Sequence, residues 1–185
     1  LEFHSGLTNA EGNHHPWESK PWAWIMGLRP MLYAISTGPD QCGDGDCVRA
    51  QMLIGTPALW WLAFPMLAWG LWRLIFRRDW RYAPVLMAYG AGLLPWFASI
   101  DRQMYYFYAT AFAPFLVMGL ALCCSDVLSS APRGRNSEKR ALAVLAVAIY
   151  VAVVVVNFAW LWPILTGEPI SNEMWDRQLW LPSWT

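Results

Sequence analysis

His14, His15, Glu18 and Lys20 fall within one short stretch, His14-His15-Pro16-Trp17-Glu18-Ser19-Lys20-Pro21-Trp22-Ala23-Trp24, and Arg29-Pro30 follows close behind. Two imidazoles, a carboxylate and an ammonium at this spacing can bind an anion or move a proton. A loop bathed in water beside lipid headgroups would carry the same groups for no chemical purpose. His15-x-x-Glu18 is no metal signature by itself, and no third ligand is evident. Arg29 lies in the otherwise apolar stretch 24–35. There it can grip a lipid phosphate through two parallel N–H bonds, or simply snorkel to the headgroups. Asp101-Arg102 is a second charged pair, readable as a solvated turn or as the lining of a cavity. Trp17, Trp22 and Trp24 offer flat faces to a sugar, or plain wall packing.

These side chains need a support, because their own segment cannot supply one. Pro16 and Pro21 fix their φ angles and push the preceding residues towards extended geometry. The segment therefore reads as a stiff, irregular loop. Of the 185 residues, 57% are hydrophobic and 14% charged, with a mean hydropathy of +0.29. Soluble domains carry about 25% charged residues, so the balance points to a membrane. The 14 tryptophans agree, since indoles favour the membrane–water interface. A net charge of zero gives a nucleic-acid partner no electrostatic support.

Four apolar segments are long enough to cross a bilayer, at about 57–76, 82–98, 104–124 and 141–165. The second is short and holds Gly90, Gly92 and Pro95. Residues 1–56 form a mixed loop with a turn-rich tip at 37–47, and 166–185 form a tryptophan-bearing tail. Leu1 is neither an initiator Met nor the start of a signal peptide, so the chain reads as a piece of a longer polytopic protein.

Sidedness follows from Lys and Arg counts in short connectors. Arg73, Arg77, Arg78, Arg81, Arg133, Arg135, Lys139 and Arg140 are 8 of the 13 basic residues and must share one face. The opposite face holds 10 of the 13 acidic residues and five basic ones. The loop 1–56 and the tail are therefore expected outside the cytoplasm. In that compartment Cys42 and Cys47 readily close a small disulfide. A metal reading of this pair is weaker, as no second Cys or His pair follows at zinc spacing. Cys123 and Cys124 read as packing residues, and Asn157 as an interhelical hydrogen-bond partner. The spans hold essentially no charge, which argues against an ion or proton pathway.

His15 through Trp24, then Leu28-Arg29-Pro30, Ile54-Gly55-Thr56-Pro57-Ala58-Leu59-Trp60-Trp61 and Pro95-Trp96 form a familiar order. Arg102, Tyr105-Tyr106-Phe107-Tyr108, Asn157-Phe158, Trp162-Pro163, Leu165-Thr166-Gly167 and Leu181-Pro182 continue it. The chain resembles the C-terminal four-span region of protein O-mannosyltransferases, most like the actinobacterial ones. The resemblance covers nearly its whole length.

That resemblance implies an all-α membrane protein, a four-transmembrane-helix bundle forming the C-terminal part of a GT-C fold. It implies an inverting enzyme of a multi-pass plasma-membrane kind. Such enzymes take mannose from a polyprenyl-phosphate carrier on the outer face and transfer it to Ser or Thr of exported polypeptides. The family's catalytic acids belong to its first outer loop, which matches nothing here, so no catalytic residue is assigned. His15, Lys20, Arg29 and Arg102 are the candidates for holding the donor phosphate, and Trp17, Glu18, Trp22 and Trp24 for a sugar or acceptor wall. No metal is assigned. Expected partners are membrane lipids, polyprenyl-phosphate-mannose, the exported chain with its translocon, and the N-terminal half of the same enzyme. Two other functions fit the residues: another GT-C glycosyltransferase acting on lipid or wall glycans, and a non-catalytic membrane scaffold.

Overall fold

The structure is a computed structural model, and it describes residues 14–38, 47–131 and 138–184. Among the described residues, three helical segments are long and apolar enough to cross a membrane: Pro57–Arg77, Ala113–Ser130 and Glu138–Thr166. The first consists of a single turn α2 (Pro57–Trp60) and α3 (Ala63–Arg77). The others are α5 (Ala113–Ser130) and α6 (Glu138–Thr166).

The expected second span is different in kind. It comprises α4 (Tyr82–Leu93, 12 residues) and a six-residue 3-10 helix, Leu94–Ser99. Pro95 has no N–H to continue an α-helical ladder, and the chain tightens there. A 3-10 turn rises about 2.0 Å per residue against 1.5 Å for an α-helix. The 18 residues from Tyr82 to Ser99 thus reach about 30 Å, near the hydrocarbon thickness. The third span also departs from expectation. Residues 106–111 are 3-10, and α5 begins only at Ala113 with Pro114 in its first turn, the position where a missing N–H costs nothing.

The loop before the spans is not wholly irregular, which corrects that expectation. After the single turn α1 (Pro21–Trp24), strands β1 (Met31–Thr37) and β2 (Cys47–Leu53) pair antiparallel, from Met31 opposite Leu53 to Thr37 opposite Val48. A bulge lies between Leu32 and Ala34. The tail adds β3 (Pro169–Ser171), with Cys47 opposite Ser171 and Arg49 opposite Pro169. Val48, Ala50 and Met52 face inward while Arg49 and Gln51 face out, the period-two pattern of a one-sided sheet. Helix α7 (Asn172–Gln178) and a short 3-10 turn, Pro182–Trp184, complete the described chain. The fold is thus a mostly helical membrane bundle carrying a small sheet on one end.

Two apolar clusters hold it. One joins Trp24, Trp60, Met66, Tyr89, Tyr106 and Phe112, all buried. The other seats Met52, Ile54, Leu161, Ile164 and Trp184 where the sheet meets the end of α6. Asn157 is an interhelical partner, as expected: its Oδ1 accepts from Ala58 N at 2.9 Å, filling an orphan donor at the start of α2.

The expectation of uncharged spans is corrected by Asp126 in α5. Its carboxylate accepts from Trp69 Nε1 (3.0 Å), Tyr82 Oη (2.9 Å) and Arg81 Nη2 (2.9 Å), and Arg73 lies within 3.2 Å. Asp79 takes further bonds from Arg73 (2.6 Å) and Arg81 (2.6 Å). This network ties the far ends of α3, α4 and α5, opposite the sheet. Arg81 chiefly, then Arg73, holds the Asp79 carboxyl below the usual carboxylate range, with burial opposing.

A depressed folded pKa adds stability above the unfolded value of about 3.9 and loses it as pH falls. Thermal stability is therefore expected to drop on acidification below about pH 4, and Asp79→Asn to flatten that limb of the profile. At Gly55 an added Cβ would overlap the Tyr106 hydroxyl and the Trp60 indole, whereas at Gly119 it would meet the Met66 side chain. Gly55→Ala should cost about 1–3 kcal/mol by overpacking rigid rings. Gly119→Ala should cost less, because Met66 can swing away. Thermal unfolding in detergent measures both.

Candidate functional site at the membrane boundary

The first loop lies over the sheet-bearing end of the bundle, and its backbone is tied there bond by bond. Ser19 N donates to Met104 O at 2.8 Å, and Glu18 N to His15 O at 2.9 Å. Pro21 starts α1 at the position where proline is tolerated. Trp24 at its end is fully buried, with Nε1 on Ser19 Oγ at 2.8 Å. Its ring meets Trp96 and Tyr108, each 5.8 Å away between centroids. Gly27, at φ 61°, then turns the chain back in the left-handed region.

Five of the sequence-derived candidates, His15, Glu18, Lys20, Trp22 and Arg29, come together in one recess of about 490 Å³, with His14 also in its wall. Lys20 Nζ donates to Ile100 O (2.8 Å) and Arg102 O (3.3 Å) and pairs with Glu18 Oε1 at 2.5 Å. Those three contacts use the three donors of an ammonium. Glu18, its side chain only 7% exposed, also meets His14 Nδ1 at 3.2 Å. His15 Nδ1 accepts from Trp17 N at 3.1 Å, and its ring stands edge-on to Tyr105 at 5.4 Å. Burial, and then the Glu18 charge, raises the Tyr105 phenol above its ordinary value.

Arg29 joins the loop to the tail. Nη1 donates to Ser183 O at 3.1 Å and Nη2 to Pro16 O, and the guanidinium carbon sits 5.7 Å from the centre of the Trp17 ring. Ser183 Oγ returns a bond to Leu28 O at 2.5 Å. The tail thus packs on the first loop, as its spaced tryptophans suggest.

The remaining candidates are placed differently. Arg102 contributes its carbonyl to Lys20, and its own Nε is buried with no hydrogen-bond partner. Trp22 is 53% exposed at the rim. Trp17 backs Arg29, and Trp24 is core with no face open. Cys47 is disulfide-bonded, while Cys42 lies outside the described residues. Sequence reasoning missed Ser19 and Ser183, whose hydroxyls anchor Trp24 and the tail. Nothing in their local spacing marks them, because each partner is an indole or a carbonyl set by the fold.

A polytopic helical protein with a cation-bearing recess at its membrane boundary is the class this geometry defines. A family model, the C-terminal four TMM region of protein-O-mannosyltransferase, matches residues 1–184, and the chain belongs to that family. A polyprenol-phosphate-mannose–protein mannosyltransferase of Mycolicibacterium smegmatis is 60% identical over 183 residues, 98% of this chain and 35% of that protein. The Mycobacterium tuberculosis protein of that name is 60% identical over 185 residues (100% and 35%), and the Corynebacterium glutamicum one 42% over 184 (100% and 35%). The chain therefore spans about a third of these curated relatives. The solved S. cerevisiae protein O-mannosyltransferase Pmt1-Pmt2 complex, bound to the sugar donor, superposes with a TM-score of 0.77 at 20% identity. That match covers 100% of this chain and 25% of the yeast chain, and it is a likeness of fold.

Arg29→Ala should free the tail. Limited proteolysis after Trp180 should speed up several-fold while α6 stays protected, since a charge-assisted bond of this kind contributes about 1.5–3 kcal/mol. Arg29→Lys should restore only part of the protection, because one ammonium does not reproduce the planar fork.

Proposed function

We propose that this chain is the C-terminal membrane part of a polyprenyl-phosphate-mannose-dependent protein mannosyltransferase, and that its recess receives the donor's phosphate. The recess lined by His14, His15, Lys20 and Arg29 carries this reading. It sits where a headgroup would lie if an isoprenoid tail stayed in lipid. In the reaction a Ser or Thr hydroxyl oxygen of an exported polypeptide attacks mannose C1. The bond from C1 to the phosphate oxygen breaks with inversion, and the lipid phosphate leaves with the electron pair. The hydroxyl proton passes to a base in the part of the enzyme outside this chain.

Within that reaction the described residues divide the work. His15 and Arg29 border the recess and have donors to offer the leaving phosphate, and Arg102, whose carbonyl holds Lys20, is the third candidate cation. Preorganised donors aimed at the charge that builds on the leaving group lower the barrier. Lys20, with its donors spent on Glu18 and two carbonyls, contributes field and position. Trp22 borders the space for the sugar or acceptor, and Trp17 supports it from behind Arg29. Glu18 is neutralised by Lys20 and is a wall, not the base. The loop and tail face the outside of the plasma membrane, and the arginine-rich ends of α3 and α4 face the cytoplasm, in keeping with the distribution of basic residues. The exported chain, its translocon and the enzyme's own N-terminal half are the partners.

The test uses the full-length enzyme in membranes, with mannosyl-polyprenyl phosphate and a Ser/Thr-rich peptide. Wild type should label the peptide. His15→Ala, Arg29→Ala and Arg102→Ala should each lower donor turnover about 10- to 100-fold at unchanged membrane insertion. Full activity in all three removes the donor-site assignment. Labelled lipid without labelled peptide points instead to a glycosyltransferase acting on lipid or wall glycans.

A further inference from the structure

The opposite end of the bundle carries a second basic recess that the mannosyl-transfer reading does not use. It encloses about 420 Å³ among Trp69, Trp72, Arg73, Arg77, Arg81 and Ser129. Arg73 and Arg81 are engaged by Asp79 and Asp126. Arg77 is different. Among the described residues it has no carboxylate partner, and its guanidinium carbon lies 6.0 Å from the centre of the Trp72 ring. Three arginines against two carboxylates leave the recess with one positive charge in excess. The Ser129 hydroxyl, which donates to Ser125 O at 2.7 Å, stands at the same rim and can give its one proton to a phosphate by rotating off that carbonyl.

A second recess opens from the first. It holds about 430 Å³ between α3 and α5, shares Trp69, Asp126 and Ser130 with it, and is otherwise walled by side chains such as Leu62, Met66, Leu120 and Val127. A positively charged mouth at a membrane boundary, continuous with an apolar groove running along the spans, has the two-part chemistry of an anionic phospholipid. The charge excess selects a phosphate ester bearing net negative charge over a zwitterionic headgroup. The groove selects an acyl chain over free phosphate.

We infer that an anionic phospholipid binds here, its phosphate on Arg77 and Ser129 and one acyl chain in the α3–α5 groove. Trp69 and Trp72, 5.0 Å apart, flank the glycerol level, where indoles settle in bilayers. The Asp79 and Asp126 carboxylates do not repel the headgroup strongly, because each is already neutralised by Arg73 and Arg81. That ion-pair network is the floor of the site. This site is independent of the donor recess and of the reaction assigned to it.

The test is native mass spectrometry of the full-length enzyme in detergent, titrated with phosphatidylglycerol or phosphatidylcholine of identical acyl chains. Wild type should retain phosphatidylglycerol about fivefold more, the order expected for one guanidinium near a membrane surface. Arg77→Gln, at an exposed position, should abolish that preference without lowering the melting temperature. Val127→Trp, which fills the groove, should reduce retention of phosphatidylglycerol with Arg77 intact. Arg177→Gln, on α7, should leave retention unchanged. Equal retention of the two lipids by wild type overturns the inference, as it would if another helix of the polypeptide filled the groove. A preference that survives Arg77→Gln overturns it too.

Discussion

The structure depends on one constraint: backbone polar groups near lipid must find partners inside the protein. An irregular, proline-broken loop satisfies that condition only by borrowing. Ser19 N reaches Met104 O, Lys20 Nζ reaches the carbonyls of Ile100 and Arg102, and Arg29 covers those of Pro16 and Ser183. Apart from Arg29 to Pro16, which closes the loop on itself, each bond joins the loop to a connector or to the tail, far away in sequence. The cations that look like ligands in the sequence are therefore also the stitches that hold the loop against the bundle. The two roles do not compete for Arg29, since a guanidinium has five donors and the fold engages it through Nη1 and Nη2. They do compete for Lys20, whose ammonium has three.

The two ends of the bundle handle positive charge in opposite ways. At the far end, Asp79 and Asp126 lie among arginines, and the helix termini are locked by a nearly balanced network. At the loop end Glu18 neutralises Lys20, while Arg29 meets carbonyls and an indole. Carbonyl oxygens orient a cation without cancelling its charge. The recess therefore keeps its field, which is what an anionic leaving group requires.

Much of this was legible in the sequence because hydropathy and Lys/Arg placement are properties of short windows. The long apolar helices followed from such windows, and so did the choice of His15, Lys20 and Arg29, which the fold brings into one recess. The sheet was harder to see. Its strand β2 alternates over only seven residues, and its third strand is three residues of the tail, whose pairing is decided by tertiary contact. Asp126 lies just beyond the apolar run that ends near Cys124, so its burial cannot be read without knowing that α5 continues to Ser130. Trp24 and Trp22 have the same local pattern, yet one is core and the other rim, because a single helical turn points them to opposite sides.

The short second span shows how closely length and chemistry are coupled. Had Leu94–Ser99 continued as α-helix, the segment would be about 3 Å shorter, from the difference in rise over six residues. The Ile100 and Arg102 carbonyls would then sit that much deeper, and Lys20 Nζ, now 2.8 Å from the first of them, would lose both. Both carbonyls would lose their cation, and the ammonium would turn to other acceptors. Pro95 stands at the start of that tighter helix and so helps place the connector whose carbonyls hold Lys20.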